Sequence, residues 1–492
     1  MNLLKNAGMG FIQVLISAVL IFWLYRYLFL TAGPSQIGVY SILIAITAIS
    51  RIGEMGITGS VVKYVAKYHS LANNINAAKI AQTAIITVGG ILLVILLIGY
   101  PLFKWILSIY MPGEGRELAD QLLPFCMLVF WLSIILGLMQ AALDGIQKAY
   151  LRHYFLIVAN TVYVGAAYFF IKDYNLIGAI YGQLIGVTVN LILVFVALKK
   201  EISCFPILNA LWDKKSFKEL VGYGMRFQLI TLLVMLGDPL IKMLMGQFGG
   251  LSFVGFYEMS NKLVMQLRAM LVAPMQSLIP HSANLIETAP KQIPEIYLKS
   301  FSAVFFVVIV CWMPIYTMLP YISELWLGSY QPQFMLISAM LLTGVSVNLL
   351  INPAYFIYMG IGKLKWNTYV HVLTAVLSIV LGGLLGMLLG GLGVVIAWVI
   401  AFGLSGMVAL VAFHHDYHIK YSALLPKDTL ILLLMSIVTI VSGLSLYYGV
   451  SSFILPIKIA LTAIGWVSLM GFPIWNHSVC KKSFSKLIKS VI

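Results

Sequence analysis

Gly33-Pro34-Ser35-Gln36-Ile37-Gly38-Val39-Tyr40 returns 217 residues later as Gly250-Leu251-Ser252-Phe253-Val254-Gly255-Phe256-Tyr257. Two glycines, a serine and a tyrosine recur in register. The same offset carries Arg51 onto Arg268, and both are permanent cations inside long apolar runs. A charge at membrane depth costs free energy and marks a functional site by default. Two under one repeat predict a shared water-filled cavity with pseudo-twofold symmetry.

The repeat extends outward from this stretch. Gly145-Ile146-Gln147-Lys148 matches Gly360-Ile361-Gly362-Lys363 at an offset of 215, and Gly178 matches Gly393 at the same offset. Three ordered matches with offsets within two residues describe a unit used twice.

That unit is a membrane unit. Of the 492 residues, 61% are hydrophobic and 10% charged, too apolar for a soluble protein of this size to bury. Apolar runs of helix length recur along the chain, so the spans are helices and not barrel strands. Spans are expected near 8–30, 36–57, 80–103, 121–143, 153–171, 175–198, 219–245, 253–280, 299–323, 333–358, 366–389, 392–413, 429–449 and 454–476. The first follows only Lys5, is long for a signal peptide and has no A-x-A site after it, so it reads as a retained span.

Charge sets the orientation. With the N-terminus in the cytoplasm, cytoplasmic segments hold 21 of the 31 basic residues and outer segments three: Lys104, Arg116 and Lys172. This is the positive-inside pattern, and it places both termini in the cytoplasm. It also accounts for the net charge of +15 without nucleic acid as a partner. Spans 1–6 then correspond to spans 7–12, and an even number per copy makes the repeat parallel. The expected organisation is an N-lobe over 1–200, a basic cytoplasmic linker over 201–218, a C-lobe over 219–418, and two appended spans with a basic tail over 419–492. In all, about 14 transmembrane helices form an all-α integral membrane protein.

Stretches after spans 2 and 8, Ser60 to Lys79 and Asn284 to Lys299, mix apolar and basic residues. Two readings fit: interfacial helices held by anionic membrane lipids, or spans that run on past the bilayer. The four cysteines are scattered with no C-x-x-C, which supports neither disulfide framework nor zinc. His414-His415-Asp416-Tyr417-His418 is the only metal-like cluster and reads as a solvated interface, so no metal is expected.

Gly53-Glu54-Met55-Gly56-Ile57, followed by Val61-Val62-Lys63-Tyr64-Val65-Ala66-Lys67-Tyr68, is similar to the pattern after span 2 in polysaccharide exporters. There an acidic-x-Gly unit precedes a short basic amphipathic segment. The turns ending in Gly38-Val39-Tyr40 and spanning Gly249 to Lys262 resemble that family too. The resemblance covers spans 1–12 and points to Wzx-type oligosaccharide flippases, in the superfamily of MATE drug exporters and lipid II flippases. It implies two six-helix lobes around a central cavity that opens alternately to each side. It also implies a substrate: an undecaprenyl-pyrophosphate-linked oligosaccharide, such as an O-antigen, capsule or exopolysaccharide repeat unit. Polysaccharide polymerase and chain-length proteins are the expected partners, and the bacterial inner membrane the expected location.

Seven basic residues lie inside spans: Arg26, Arg51, Arg226, Lys242, Lys262, Arg268 and Lys458. Arg51, Arg226 and Arg268 fall in the cytoplasmic half and are the candidate pyrophosphate ligands. A guanidinium binds phosphate oxygens in pairs and stays charged when partly dehydrated. Arg26 and Lys242 lie toward the outer ends and are candidates for a later contact. The competing reading is snorkelling or pairing with an acid; Arg226 fits either, and Lys458 fits an interface. Asp238 and Lys242, like Glu258 and Lys262, are spaced for intrahelical ion pairs. Glu54 and Asp144 are candidates for H⁺ or Na⁺ coupling, with Glu54 also a candidate partner of Arg51. Asp238-Pro239 and Asn352-Pro353 are expected kinks. Two other functions compete. A drug/cation antiporter calls for a more acidic interior, and a membrane polymerase or ligase for a large outer loop. The longest outer segment, Lys104 to Gln121, is too short for a domain. No catalytic residues are expected.

Overall fold

The computed structural model describes residues 2–50, 56–111, 113–202, 205, 212–424, 427–449 and 454–481. Among them the chain is helical, without a strand: α1 Asn2–Ala48, α2 Ile57–Ser70, α3 Asn74–Tyr110, α4 Glu114–Gly145, α5 Ala149–Glu201, α6 Lys214–Met275 and α7 Leu278–Thr288. There follow α8 Ile293–Val307, α9 Met313–Leu327, α10 Pro332–Gly360, α11 Leu364–Leu389, α12 Gly391–Asp416, α13 Lys427–Gly449 and α14 Leu455–Asn476.

Eleven helical stretches among the described residues are long and apolar enough to cross a membrane, which makes this a multi-pass membrane protein. Three helices are far too long for one crossing. α1, α5 and α6 hold 47, 53 and 62 residues, about 70 to 93 Å at 1.5 Å per residue, against a hydrocarbon core of about 30 Å. Each contains one non-helical residue that divides it: Gly33, Asn175 and Gly250. Halving these three reconciles eleven continuous stretches with fourteen spans. α8 and α9 make one span, joined by a π-helical turn at Val308–Trp312. The backbone of α10 stays helical through Pro353, and in α6 the non-helical residue is Gly250, not Pro239.

The repeat holds in backbone detail. Gly33 has φ 77 and ψ 170; Gly250 has φ 80 and ψ 171. Positive φ at this turn is open to glycine at no steric cost. Asn175 (φ 49, ψ −128) and Gly390 (φ 64, ψ −150), 215 apart, make the second matched break.

The chain forms two compact units, residues 1–258 and 259–492, which meet within α6. In the first unit, Ile57, Val61 and Val65 of α2 bury against Ala77, Ala81 and Ala84 of α3, Ala142 and Leu143 of α4, and Ile146 just after it. Small side chains let the helices approach where lipid gives no hydrophobic drive. A Cβ on Gly145 would lie 3.0 Å from the Val62 carbonyl oxygen. In the second unit, a Cβ on Gly360 would lie 2.3 Å from the Ile279 carbonyl oxygen. Residues 62 and 279 are again 217 apart. So α2 and α7 are equivalent, separate short helices, each seated on a glycine at the end of a span. α2 turns Lys63 and Lys67 outward, beside the rings of Tyr64 and Tyr68.

In the second unit, Tyr297, Phe301 and Phe305 of α8 pack on Ile357 and Tyr358 of α10, Phe413 of α12, Leu432 of α13 and Met470 of α14. The appended helices α13 and α14 thus share the core of this unit.

Candidate functional site

Two polar sites lie inside apolar helices, one in each unit. The first is built around the reciprocal crossing of the two motif copies. A Cβ on Gly38 would sit 1.9 Å from the Leu251 carbonyl oxygen, and one on Gly255 would sit 1.9 Å from the Pro34 carbonyl oxygen. The offset of 217 exchanges 34 with 251 and 38 with 255. Each copy therefore presents its glycine to the other copy's turn, the self-complementary pattern of a twofold contact.

At such an axis equivalent positions meet. Ser41 Oγ donates to Glu258 Oε2 at 2.7 Å across a separation of 217 residues. Tyr25, the equivalent of Lys242, lies beside the same carboxylate. Lys242 Nζ is 3.0 Å from Glu258 Oε2 and 3.1 Å from Asp238 Oδ2. Lys242 and Glu258 are 7% and 6% exposed, whereas Asp238 is half exposed. One copy contributes a tyrosine and a serine, the other a lysine and a glutamate. A buried lysine is tolerated here because two carboxylates neutralise it.

The second site surrounds Arg268, half-buried, about 10 Å from the end of α6 at 1.5 Å per residue. Its guanidinium donates from Nη2 to Asn348 Oδ1 at 3.1 Å. Tyr355 lies close enough to interact with it electrostatically. Tyr355 OH is 3.0 Å from His371 Nε2, and Asn367 Nδ2 donates to the Tyr355 carbonyl at 3.1 Å. Arg268 Nε and Asn352 Nδ2 are buried donors with no hydrogen-bond partner among the described residues. Asn348 and Asn352 are four apart and share a face of α10. Buried unsatisfied donors are costly, and an acceptor-only anion is the ligand that satisfies them.

Arg51 and Glu54 lie outside the described residues, as does the side chain of Arg226. Arg26 is half-buried on α1. Asp144, at the end of α4, is 3.3 Å from Arg152 Nε. The Asp238–Lys242 spacing does form an ion pair, and Lys242 also reaches Glu258 from 16 positions away. His414 is buried: its Nδ1 is 3.0 Å from the Ile419 carbonyl, which makes Nδ1 the donor, and its Nε2 is 3.0 Å from Tyr297 OH. No group of three metal-ligating side chains occurs among the described residues. Ser41 and Tyr25 were absent from the sequence candidates, although the offset of 217 pairs them with Glu258 and Lys242. Asn348, Tyr355 and His371 gave no sequence signal, because isolated polar residues in spans are common.

A model of the family described as polysaccharide biosynthesis protein matches residues 30–330. No curated protein matches the chain. The fold is similar to that of the lipid II flippase MurJ in an inward closed conformation, with a TM-score of 0.73, 14% identity, and 95% of this chain and 98% of that one covered. An inward-facing multidrug resistance MATE family transporter of the MOP superfamily gives 0.71 and 14%, covering 86% and 98%. A MOP superfamily transporter from Pyrococcus furiosus gives 0.55 and 15%, covering 86% and 96%. At these identities the likeness is one of fold.

Proposed function

Because the chain belongs to the polysaccharide biosynthesis protein family, we propose that it is a flippase for an undecaprenyl-pyrophosphate-linked oligosaccharide, moved from the inner to the outer leaflet by alternating access. The observation that carries this reading is the family match on a chain with the fold of a lipid II flippase. In this reading the protein resides in the bacterial inner membrane with both termini cytoplasmic, beside polymerase and chain-length proteins.

Arg268, held by Asn348 and with the buried donor of Asn352 on the same face of α10, receives the pyrophosphate, and Arg51 and Arg226 complete the cationic set. Lys242 is held by two carboxylates, so the arginines carry the phosphate. Arg26 serves the departing headgroup. A flippase makes no bond, so the work is binding and reorientation. Energy comes from H⁺ or Na⁺, with Glu54 and Asp144 the candidate carriers. The multidrug transporter fold matches nearly as well, but arginines at membrane depth favour an anionic substrate over a cationic drug.

The test is a deletion strain. Undecaprenyl-linked oligosaccharide is expected to accumulate on the cytoplasmic face; an unchanged lipid-carrier pool would refute the assignment. Arg268→Ala is expected to reproduce that accumulation at normal protein level, and normal export in Arg51→Ala/Arg268→Ala would remove the phosphate role.

A further inference from the structure

The seam between α1 and α5 carries a strip of neutral polar heads continued by aromatic rings. Gln13 Nε2 donates to Ser17 Oγ at 3.1 Å, and Asn160 Nδ2 donates to the same oxygen at 2.8 Å. His153 Nδ1 is 3.3 Å from Gln13 Oε1. Farther along, Trp23, Tyr27 and Tyr168 form a cluster with ring centroids 4.9 to 6.2 Å apart. From Gln13 to Tyr27 the strip runs about 21 Å along α1, longer than one hexose ring.

Three observations bear on what it faces. Gln13, His153 and Asn160 are half-buried, and Trp23 and Tyr168 are each 45% exposed. The hydrogen bonds within the strip use only part of the donors and acceptors of these part-exposed amide and imidazole groups, and the remainder would find no partners in hydrocarbon. The strip therefore borders water.

Its chemistry is also selective. None of the seven side chains is a carboxylate, lysine or arginine. The cations adjacent in sequence, Arg26 beside Tyr27 and Arg152 beside His153, point about 100° away around their helices, and Arg152 is engaged by Asp144 at 3.3 Å. Such a strip offers neither countercharge for phosphate nor an acid for a cation. Amides and hydroxyls beside ring faces suit carbohydrate: its hydroxyls exchange hydrogen bonds and its C–H faces stack on aromatics.

The third observation is asymmetry. At the repeat offsets Gln13, Ser17, Trp23 and Tyr27 correspond to Ile230, Val234, Leu240 and Leu244. His153, Asn160 and Tyr168 correspond to Thr368, Ala375 and Gly383. The second copy carries mostly apolar residues at the equivalent positions, so the polar character of the strip belongs to the first copy and not to the repeat.

We infer that this α1–α5 strip is the sugar-reading surface of the protein and sets which oligosaccharide is accepted. This rests on the flippase reading and adds the specificity element within it. The test uses the full chain in proteoliposomes with two probes, undecaprenyl-pyrophosphate bearing one N-acetylglucosamine and the same carrier bearing five sugars ending in N-acetylglucosamine. A membrane-impermeant lectin reports translocation. Asn160→Leu/Tyr27→Leu is expected to slow the five-sugar probe about tenfold, the loss of a hydrogen bond and a ring contact, while the one-sugar rate changes less than about twofold. Tyr27→Phe keeps the ring and is expected to keep both rates. If the double variant does not fold, the exposed Tyr168→Leu carries the same test. Equal loss on both probes, or no loss on either, overturns the inference and leaves the flippase reading standing. A wild-type protein that moves neither probe overturns both.

Discussion

The turn after α4 and the turn after α10 are one object made twice, whereas the polar interiors of the two copies share almost nothing. In the turns, Ile146, Gln147 and Lys148 donate to the carbonyls of Ala142, Asp144 and Leu143; Ile361, Gly362 and Lys363 donate to those of Ile357, Met359 and Tyr358. Every donor and acceptor is displaced by 215. Gln147 takes φ 61 where Gly362 takes φ 78. Inside the spans, by contrast, Tyr25 and Ser41 answer to Lys242 and Glu258, and Asn160 answers to Ala375. Backbone geometry at a helix end admits few solutions, so a duplicated scaffold keeps them. Side chains inside the spans are freer to change, so the differences between copies mark where each has taken its own chemistry, while Arg51 and Arg268 mark what the two keep in common.

The sharpest way to break this comparison is at the reciprocal glycines. Gly38→Leu and Gly255→Leu each place atoms on a carbonyl oxygen of the other copy, 1.9 Å from Cβ alone. Both are expected to abolish recovery of folded protein, well beyond the roughly 1–3 kcal/mol of ordinary overpacking. Gly165→Ala, where a Cβ meets nothing within 4 Å, is the matched control and is expected to behave as wild type. Detergent-solubilised size-exclusion profiles report all three. If only one of the two reciprocal variants failed, the twofold equivalence of the crossing would be lost.

Next is the buried ion pair. Lys242→Met leaves Glu258 buried beside Ser41 and Tyr25 without its ammonium, and is expected to cost about 3–5 kcal/mol. Asp238→Asn removes a half-exposed partner and is expected to cost under about 1 kcal/mol. Thermal unfolding in detergent orders the two; similar losses would mean that Asp238, not Glu258, anchors the lysine. In the other unit Asn348→Leu takes away the oxygen that holds Arg268. It is expected to reduce export several-fold, short of Arg268→Ala, because a hydrogen bond to a charged group is worth about 1.5–3 kcal/mol.

Much of this architecture was legible in the sequence, and the reasons are physical. Hydrophobic runs are long, so the spans were readable; the helix breaks require positive φ, so glycines marked two of the three, while Asn175 carried no comparable signal. The offset of 217 was visible at Gly33 and Gly250 and holds in their dihedrals. The contacts between copies were not legible. Ser41 and Glu258 touch because they straddle a pseudo-twofold axis, and a repeat shows which residues are equivalent without showing which equivalents meet. The α1–α5 strip was invisible for a related reason. Gln13, Ser17, His153 and Asn160 are lone polar residues in two distant spans, and only the packing of α1 on α5 brings them together.

The smallest effect tests whether the duplicated turns are equal in energy as well as in form. Lys148 pairs with Glu201 at 2.8 Å, and Lys363 pairs with Asp416 at 3.6 Å. Both members are displaced by 215, so these are one clamp built twice, tying the turn to the end of the sixth span of its copy. The surroundings differ. The hydrogen bond to Glu201 holds the Lys148 ammonium above its ordinary pKa. Lys363 is 56% exposed against 31% for Lys148, and Asp416 also accepts from Tyr358 OH at 3.2 Å, so it is less dependent on its lysine. Double-mutant cycles on thermal unfolding are therefore expected to give about 0.5–1 kcal/mol for Lys148–Glu201 and under about 0.3 kcal/mol for Lys363–Asp416. Both values should shrink in 1 M salt, where the screening length falls to about 3 Å. Equal couplings in the two copies would show that exposure does not govern these pairs, and that equivalence of backbone extends to equivalence of energy.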